Sequence, residues 1–447
     1  MSYNKRFIYT ISFITALGGF LLGFDSAVIS GTIPFMKTYF GLSELQTGWT
    51  VSCFIIGVVV GNAFSGMFSD KYGRKSVLMV TALLFTLSAV TSAIAQEFWF
   101  LVIARMIGGV GVGGALLIAP VYIAEISPPA VRGKMVSFNQ LNIVIGISAA
   151  YFSNYFLLST GVNNWRWMLG VETIPAVLYF IFLIVVPNSP RWLVGKGRIN
   201  KAGQVLAKIG NEEYANGQLN EIKQSLANKE EHDSLSLLKK LFSSKLKTIL
   251  FLTLGLAFLQ QITGINAVLY YAPVIFEKTG IGKDASFINA AIIGLTNLVF
   301  TFVAMAVIDK MGRKKLLIIG SIGLTLSLVS LSVFSYLDKF SGYFVLLCVM
   351  CYVASFAISL GPVLWVFLSE IFPNKYRGIG MSVAGLWGSV VSFGVTFFFP
   401  WQLENLGSTF TFVIYSGFAL LTFLFALFIF PETKGVSLEA LEKRFAK

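Results

Sequence analysis

Three charged residues lie inside long apolar stretches of the sequence, where a charge is costly and needs an explanation. Asp25 lies deep in the first stretch, Arg105 is near the start of the fourth, and Glu172 lies in the sixth. A carboxyl group in a low-dielectric environment favours its protonated form, whereas a nearby arginine favours the charged form. If Asp25 gains and loses contact with Arg105, it can take up and release a proton. The alternative is a static ion pair that joins two helices.

Neutral amide side chains also fall within apolar stretches of the sequence. They are Gln140 in the fifth stretch, Gln260, Gln261 and Asn266 in the seventh, and Asn297 in the eighth. A single buried amide most often bonds to a neighbouring helix, whereas several that converge suit a ligand with many hydroxyl groups. The amides of the seventh stretch cannot share one regular helical face, because adjacent residues diverge by about 100°. We expect Gly264 to let this helix bend or unwind so that they converge.

The elements that must position these side chains are membrane-spanning helices. The chain has 447 residues, 56% of them hydrophobic and 12% charged, whereas about 25% of the residues in soluble proteins are charged. A spanning helix needs about 20 apolar residues, and backbone groups in lipid must be satisfied within their own segment. The sequence therefore predicts an all-α integral membrane protein with twelve spans. They lie near residues 7–29, 49–69, 76–95, 99–123, 136–158, 168–187, 247–276, 286–308, 315–335, 342–368, 379–402 and 408–430.

The net charge of +13 reflects the orientation of the chain and does not indicate a nucleic-acid partner. If both termini lie in the cytoplasm and the spans alternate, most of the 34 lysine and arginine residues fall on the cytoplasmic side. This bias is the positive-inside rule. It predicts a multi-pass protein of the cell membrane, and the short loops favour a bacterial inner membrane.

Two motifs occur once in each half of the chain and indicate an internal duplication. The motif that begins at Asp70 recurs at Asp309, and the motif that begins at Glu125 recurs at Glu370. A long polar stretch separates the halves. We therefore predict a six-helix bundle at 1–187, a cytoplasmic linker with short helices at 188–246, and a second six-helix bundle with a short tail at 247–447.

The duplicated motifs place acidic and basic residues at the predicted cytoplasmic ends of helices. Charge pairs between helices would hold the cytoplasmic side shut and break when it opens. The alternative is a set of solvated loop charges. Because acid, base and glycine recur at fixed spacing, we favour the first interpretation. The predicted gate residues are Asp70, Arg74, Glu125, Arg132, Asp309, Arg313, Glu370 and Arg377.

Several longer motifs are spread along the whole chain. They are Gly66-x-x-x-Asp70-x-x-Gly73-Arg74-Lys75, Arg105-x-x-x-Gly109-x-Gly111, Pro120-x-Tyr122-x-x-Glu125, Pro187-Asn188-Ser189-Pro190-Arg191-Trp192-Leu193, Gln260-Gln261-x-x-Gly264-Ile265-Asn266, Gly361-Pro362-x-x-Trp365 and Pro431-Glu432-Thr433-Lys434-Gly435. Together they resemble the motifs of the sugar porter family of the major facilitator superfamily. The resemblance implies two pseudo-symmetric six-helix bundles that carry a monosaccharide or related polyol by alternating access.

The resemblance also implies roles for the residues singled out above. The amides at positions 140, 260, 261, 266 and 297 would contact sugar hydroxyls, and Trp365 would supply a platform for the sugar ring. Asp25, Arg105 and Glu172 would couple transport to protons.

Three residues depart from the family pattern. Ile147 stands where proton-coupled xylose permeases have a glutamine, as it does in facilitative glucose carriers. Leu386 precedes Trp387 where both groups have an asparagine or glutamine, and Asn188 replaces a glutamate on the cytoplasmic side. We therefore expect the pocket to recognise an arrangement of sugar hydroxyls that differs from the one recognised by xylose permeases or by glucose carriers.

The leading functional prediction is proton-coupled symport of a pentose, a hexose or a related polyol. A facilitative uniporter is the first alternative, and a transporter-like sugar sensor is a second one that the short tail argues against. We do not expect an enzyme, because His232 is the only histidine and lies outside the predicted spans. No cofactor, metal ion or nucleic-acid partner is expected, and we expect a monomer to function in the lipid bilayer.

Overall fold

The computed structural model describes residues 3–227, 238, 241–242, 246–373 and 375–434. The regular elements within these residues are helices, and no strand occurs among them. Twelve segments of this part of the chain are long and apolar enough to cross a membrane. The predicted all-α fold with twelve spans is therefore confirmed. His232 and the part of the predicted linker at 228–237, 239–240 and 243–245 lie outside the described residues.

The helices of the first half begin close to the predicted spans and extend past most of them into the flanking polar residues. They are α1 (Lys5–Phe40), α2 (Glu44–Tyr72), α3 (Arg74–Ala93), α4 (Phe98–Ile126), α5 (Arg132–Leu157), α6 (Asn164–Gly170), α7 (Thr173–Val185), α8 (Pro190–Gly195), α9 (Ile199–Ile209) and α10 (Glu212–Ala227). Together α6 and α7 form the sixth candidate span.

The second half supplies the other six candidate spans. Its helices are α11 (Lys247–Ile262), α12 (Ile265–Tyr270), α13 (Ala272–Glu277), α14 (Lys283–Met311), α15 (Arg313–Tyr336), α16 (Gly342–Ile358), α17 (Leu360–Ile371), α18 (Arg377–Asn405) and α19 (Gly407–Leu424), followed by a π-helical turn at Phe425–Ile429. The seventh span combines α11 with α12, and the tenth combines α16 with α17.

The chain packs into two compact units. The first comprises Met1–Phe35 and Cys53–Glu231, and the second comprises Met36–Ser52 and His232–Lys447. The connection between α1 and α2 therefore groups with the second unit, although it precedes most of the first unit in sequence.

Glycines bring the helices of the first unit into backbone contact. A Cβ atom on Gly57 of α2 would lie 2.9 Å from the Cα atom of Gly109 on α4. A Cβ atom on Gly146 of α5 would lie 2.9 Å from the backbone nitrogen of Phe24 on α1. Small residues permit this approach in membrane helices. These contacts hold α4 against α2 and α1 against α5. They thereby position the two helices that carry Asp25 and Arg105.

The three spans that consist of two helices are interrupted within the apolar part of the chain. The sixth is interrupted at Val171–Glu172, the seventh at Thr263–Gly264 and the tenth at Ser359. An interrupted helix leaves backbone groups without their usual partners, which is tolerated in a membrane only where protein or a water-filled cavity surrounds them. Glu172 and the amides of the seventh span lie beside two of these interruptions.

Three helices occupy the region where the sequence predicts short linker helices. Ser189 caps α8, because its Oγ accepts a hydrogen bond from the backbone N–H of Trp192 at 3.3 Å, and Pro190 occupies the first turn, where no N–H is needed. On α9 the buried residues are Ala202, Val205, Leu206 and Ile209, which recur with helical spacing on one face.

Candidate functional site

The first candidate site is an ion pair buried between α1 and α4. Arg105 Nη1 donates a hydrogen bond to Asp25 Oδ1, and each side chain is only 2% exposed. The Arg105 guanidinium also lies 5.0 Å from the centre of the Phe54 ring, a favourable arrangement for a desolvated cation. The structure thus brings together the acid and the arginine that the sequence predicted to interact.

The ion pair leaves buried polar atoms unsatisfied among the described residues. Asp25 Oδ2, Arg105 Nε and Glu172 Oε1 have no hydrogen-bond partner. Glu172 is buried at the interruption between α6 and α7, within electrostatic reach of both Asp25 and Arg105. A buried pair recovers its desolvation cost only when its remaining atoms are also satisfied. This arrangement is therefore poorly suited to being a mere structural clamp.

Gly108 makes room for the free oxygen of Asp25. A Cβ atom at Gly108 would lie 2.9 Å from Asp25 Oδ2, and Ser88 Oγ borders the same point. A side chain in this place would displace the carboxylate. On α4, Gly109 therefore serves helix packing, and its neighbour Gly108 leaves space around the acid.

The second candidate site is a chain of hydrogen bonds in the second unit. Gln260 Nε2 donates to the backbone carbonyl of Leu360 at 3.0 Å, and Gln261 Nε2 donates to Gln260 Oε1 at 3.2 Å. Asn266 Nδ2 donates to Gln261 Oε1 at 2.9 Å and to Ser392 Oγ at 2.7 Å. The amides of the seventh span therefore converge, as the sequence predicted.

A left-handed glycine makes this convergence possible. Gly264 separates α11 from α12 with φ of 92°, and a Cβ atom there would lie 2.9 Å from Tyr415 Cδ1. Glycine adopts this conformation at little cost, whereas a side chain would be strained. Tyr352 donates its hydroxyl to the carbonyl of Thr263 at 2.8 Å, which satisfies one of the backbone groups freed by the interruption. The predicted bend at Gly264 is confirmed.

Aromatic residues from two helices of the second unit are partly exposed. Trp365 on α17 is 44% exposed, and a Cβ atom on Gly385 of α18 would lie 3.9 Å from its ring. Trp387 stacks on Phe258, with ring centres 6.4 Å apart and planes at 22°. An exposed indole face of this kind can cover the apolar side of a ring-shaped ligand.

Two amides that the sequence predicted for the site are not part of the hydrogen-bonded chain. Asn297 lies on α14, is 9% exposed, and forms no side-chain hydrogen bond with the other described amides. Gln140 lies on α5 in the first unit, where its side chain is exposed. Their roles stay predictions.

A charge cluster joins α2, α3 and α4 in the first unit. Arg74 lies 2.9 Å from Asp70 Oδ1 and 3.1 Å from Glu125 Oε1. The other carboxylate oxygen of Glu125 accepts a hydrogen bond from the hydroxyl of Ser189. Trp192 of α8 donates its indole N–H to the carbonyl of Asp70 at 3.1 Å, so the linker is fastened to the same cluster.

The second unit contains an equivalent charge cluster. Arg313 lies 3.1 Å from Asp309 Oδ1 and 2.7 Å from Glu370 Oε1, and Thr433 donates its hydroxyl to Glu370 Oε2 at 2.6 Å. Six of the eight predicted gate residues are thus paired within their own unit. In the part of the chain that the structure describes, Arg132 and Arg377 form no ion pair.

Three participants in these sites were not identified from the sequence. Ser189 and Thr433 occupy corresponding places in the two charge clusters, and the parallel between Pro187-Asn188-Ser189 and Pro431-Glu432-Thr433 could have indicated them. No sequence signal singles out Ser392, which lies far along the chain from Asn266.

The fold and the two sites together define an integral membrane transporter. The family model described as "Sugar (and other) transporter" matches residues 11–445. The chain belongs to this family, and the resemblance found in its motifs is confirmed.

Relatives of known name cover nearly the whole chain. The arabinose-proton symporter of Bacillus subtilis (strain 168) is 39% identical over 100% of this chain and 97% of the relative. The D-xylose-proton symporter of Escherichia coli (strain K12) is 37% identical over 98% and 96%. The partially occluded inward-open conformation of the xylose transporter XylE from E. coli matches with a TM-score of 0.86 and 35% identity, over 97% of this chain and 100% of that one.

Proposed function

We propose that this protein couples the entry of protons to the uptake of a monosaccharide, a pentose or a hexose, or of a related polyol. The observation that carries this proposal is the buried Asp25–Arg105 pair with its unpartnered carboxylate oxygen. Two relatives that span nearly the whole chain are named as proton symporters of arabinose and of D-xylose.

The proton step follows from the electrostatics of the buried pair. Contact with Arg105 favours the charged form of the Asp25 carboxylate. When the helices move and the contact opens, the desolvated carboxylate takes up a proton, for which Oδ2 is the free acceptor. Glu172 then offers the guanidinium a second carboxylate. When the contact closes again, the proton leaves, and the cycle has carried one proton across.

The sugar step rests on the amides and the aromatic platform. Amides donate and accept hydrogen bonds, and sugar hydroxyls do the same, so a short row of amides can replace the water around a sugar. Gln260, Gln261 and Asn266 form such a row, and Trp365 presents an exposed ring face. We assign Gln140 and Asn297 to the same task.

Orientation and oligomeric state are part of the proposal. We infer that both termini lie in the cytoplasm of a bacterial cell and that the protein resides in the inner membrane, because basic residues follow the positive-inside rule. The two charge clusters then lie on the cytoplasmic side and act as a gate. Since one chain carries both the acid–arginine pair and the row of amides, we propose that a monomer transports.

The test is uptake into proteoliposomes with and without an inward proton gradient. Labelled xylose, arabinose, glucose, galactose, fructose and myo-inositol would serve as the panel. We expect one of them to accumulate only when the gradient is present. Equal uptake that merely equilibrates in both conditions would make the protein a facilitative uniporter and reduce Asp25 and Arg105 to a structural pair.

A variant isolates the proton step from sugar binding. Asp25→Asn should abolish accumulation yet retain counterflow exchange of labelled for unlabelled sugar, because exchange needs no net proton movement. Glu213→Gln removes an exposed carboxylate on α10 of the same unit and is the matched control, which should accumulate sugar normally. Accumulation by Asp25→Asn would refute the proton role of this residue.

A further inference from the structure

The row of amides in the second unit ends on a residue to which neither the motifs nor the family resemblance assigns a role. We propose that Ser392 is a positioning residue that engages the second N–H bond of the Asn266 amide, holds the orientation that the row imposes on it, and thereby sets the donor and acceptor pattern offered to the sugar. In this pattern Asn266 presents an acceptor and Gln261 presents a donor. This role of Ser392 rests on the proposed function, and it adds which sugar hydroxyl must donate a hydrogen bond to the site and which must accept one.

The direction of the row is set at its first member. An amide side chain can turn about its last bond, which exchanges its donor with its acceptor, so a fixed neighbour must choose between the two orientations. The backbone carbonyl of Leu360 can only accept, and it receives Gln260 Nε2 at 3.0 Å. Gln260 must therefore direct its Oε1 toward Gln261.

Each amide of the row orients the next one. Gln261 Nε2 donates to Gln260 Oε1, so Gln261 Oε1 faces Asn266 and accepts one of its two N–H bonds. Ser392 Oγ accepts from the same nitrogen at 2.7 Å. Both N–H bonds of Asn266 are then used, and only its Oδ1 is free to bind a ligand. Gln261 retains one N–H bond as a free donor.

Ser392 is well placed to hold this orientation. It is 5% exposed on α18, a long helix, whereas Asn266 lies on α12, which is short and follows the interruption at Gly264. Within the same helix, Gly388 faces Gln261 without a side chain, since a Cβ atom there would lie 3.8 Å from Gln261 Cγ. The hydrogen bond between α18 and the row of amides is therefore formed by Ser392, whereas Leu386 is half exposed.

The pattern restricts the ligand. One sugar hydroxyl must donate to Asn266 Oδ1, and a neighbouring hydroxyl oxygen must accept from Gln261 Nε2. Replacing a hydroxyl by fluorine keeps a weak acceptor but removes the donor, so fluorine should be rejected at the position that faces Asn266 and tolerated at the position that faces Gln261. Loss of Ser392 would free one N–H bond of Asn266, which would then donate to fluorine, so that fluorine is tolerated at this position as well.

The experiment measures competition by deoxyfluoro-D-glucose and deoxy-D-glucose analogues, each modified at one ring position, against the labelled sugar that the wild type takes up. We expect wild type to reject fluorine at one position by at least about tenfold relative to hydroxyl, the ratio that one charge-free hydrogen bond of roughly 1.4 kcal/mol provides. Ser392→Ala should reduce this ratio to less than about threefold, with the maximal rate unchanged. Ser392→Thr, which keeps the hydroxyl, should retain wild-type discrimination.

Two further variants separate positioning from general structural damage. Ser389 lies on the same helix, and its hydroxyl bonds to the carbonyl of Gly385 at 3.0 Å, so Ser389→Ala should leave the analogue profile unchanged. In an Asn266→Ala background, Ser392→Ala should have no further effect on the profile, because the two residues act as one unit.

The outcomes distinguish this inference from the proposed function. If wild type takes up none of the sugars, the proposed function fails and this inference fails with it. If wild type takes up a sugar and Ser392→Ala has the wild-type analogue profile, only the role of Ser392 is overturned. A Ser392→Ala protein that does not fold is replaced by Ser392→Cys, a near-isosteric weak acceptor that should also lower the fluorine ratio.

Discussion

The two units carry equivalent charge clusters that differ at one charged position, where the second unit has Glu432 and the first has Asn188. Glu432 accepts four backbone hydrogen bonds, two of them at the start of α15, from Arg313 at 3.0 Å and from Lys314 at 3.1 Å. Asn188 Oδ1 lies beside Gly73 at the start of α3 but has no hydrogen-bond partner among the described residues. The arginine–carboxylate pairing is thus retained in both units, whereas the anionic helix cap is present in only one.

The difference shows which parts of the cluster can vary independently. A helix N-terminus carries a partial positive charge and unpaired N–H groups, so a carboxylate there is favourable and a neutral, shorter amide is less so. The arginine has a separate task, since it keeps a partly buried carboxylate from being left uncompensated. The first unit should therefore depend more heavily on its arginine than the second does.

The largest expected effect comes from removing each arginine in turn. Arg74→Ala should lower the melting temperature more than Arg313→Ala, because the side chain of Glu125 is 10% exposed whereas that of Glu370 is 26% exposed. We expect about 2–4 kcal/mol of destabilisation for Arg74→Ala, near the range measured for breaking a buried ion pair. The measurement is thermal unfolding of purified protein in detergent.

Matched controls use the exposed acids of the same clusters. Asp70→Asn and Asp309→Asn remove carboxylates that are largely exposed, so each should change the melting temperature far less than loss of the arginine. Equal effects of Arg74→Ala and Arg313→Ala would contradict the proposed difference between the units.

Removing the anionic cap tests the other side of the comparison. Glu432→Gln leaves an acceptor in place but removes the charge, and we expect it to destabilise the protein by about 1 kcal/mol. The melting temperature should fall accordingly. The control is Glu404→Gln, which removes an exposed carboxylate paired with Lys278 on the surface and should leave the melting temperature unchanged. If Glu404→Gln lowers the melting temperature as much as Glu432→Gln does, the charge of Glu432 at the start of α15 contributes nothing beyond that of an ordinary surface carboxylate.

Adding the missing cap should make the two units alike. We expect Asn188→Glu to raise the melting temperature, with a gain of roughly 0.5–1 kcal/mol from the carboxylate at the start of α3. Asn188→Gln has the same reach without the charge and should yield less than half of this gain. A fall in melting temperature for Asn188→Glu would mean that the buried site around Gly73 does not accommodate a carboxylate.

The smallest expected effect is a dependence on pH. Burial raises the pKa of Glu432, but four backbone N–H donors lower it more, so its pKa is held below the ordinary value. A carboxyl with a depressed pKa in the folded protein contributes stability above its unfolded pKa of about 4.3 and loses it as the pH falls further. The difference in melting temperature between wild type and Glu432→Gln should be constant near neutral pH and shrink below about pH 4.5. A difference that grows on acidification would reverse the assigned sign.

The sequence predicted those features that depend on local pattern. Twelve apolar runs define the spans. The duplicated motifs identify Arg74 and Arg313, because in each motif the arginine and one of its acidic partners are only four residues apart. The convergence of Gln260, Gln261 and Asn266 was also predicted, since Gly264 stands between them and permits the bend.

The features that escaped prediction depend on contacts between distant hydroxyl or carbonyl groups. Serine and threonine in membrane helices usually bond to a carbonyl of their own helix, as Ser389 and Thr301 do here. Nothing in the neighbourhood of Ser392 distinguishes it from these residues, although its partner lies 126 positions away. The acceptor at Leu360 is a backbone atom, so no residue type could have indicated it.

That backbone acceptor has a consequence for how such a transporter can change its substrate over evolutionary time. A main-chain carbonyl survives every substitution at position 360, whatever side chain arises there, so the end of the row that begins with Gln260 keeps its polarity through sequence drift. Of the two ends of the row, only the one at position 392 is a side chain that substitution can change. A lineage could thus acquire a new hydroxyl preference through a single codon while the rest of the site is inherited unaltered.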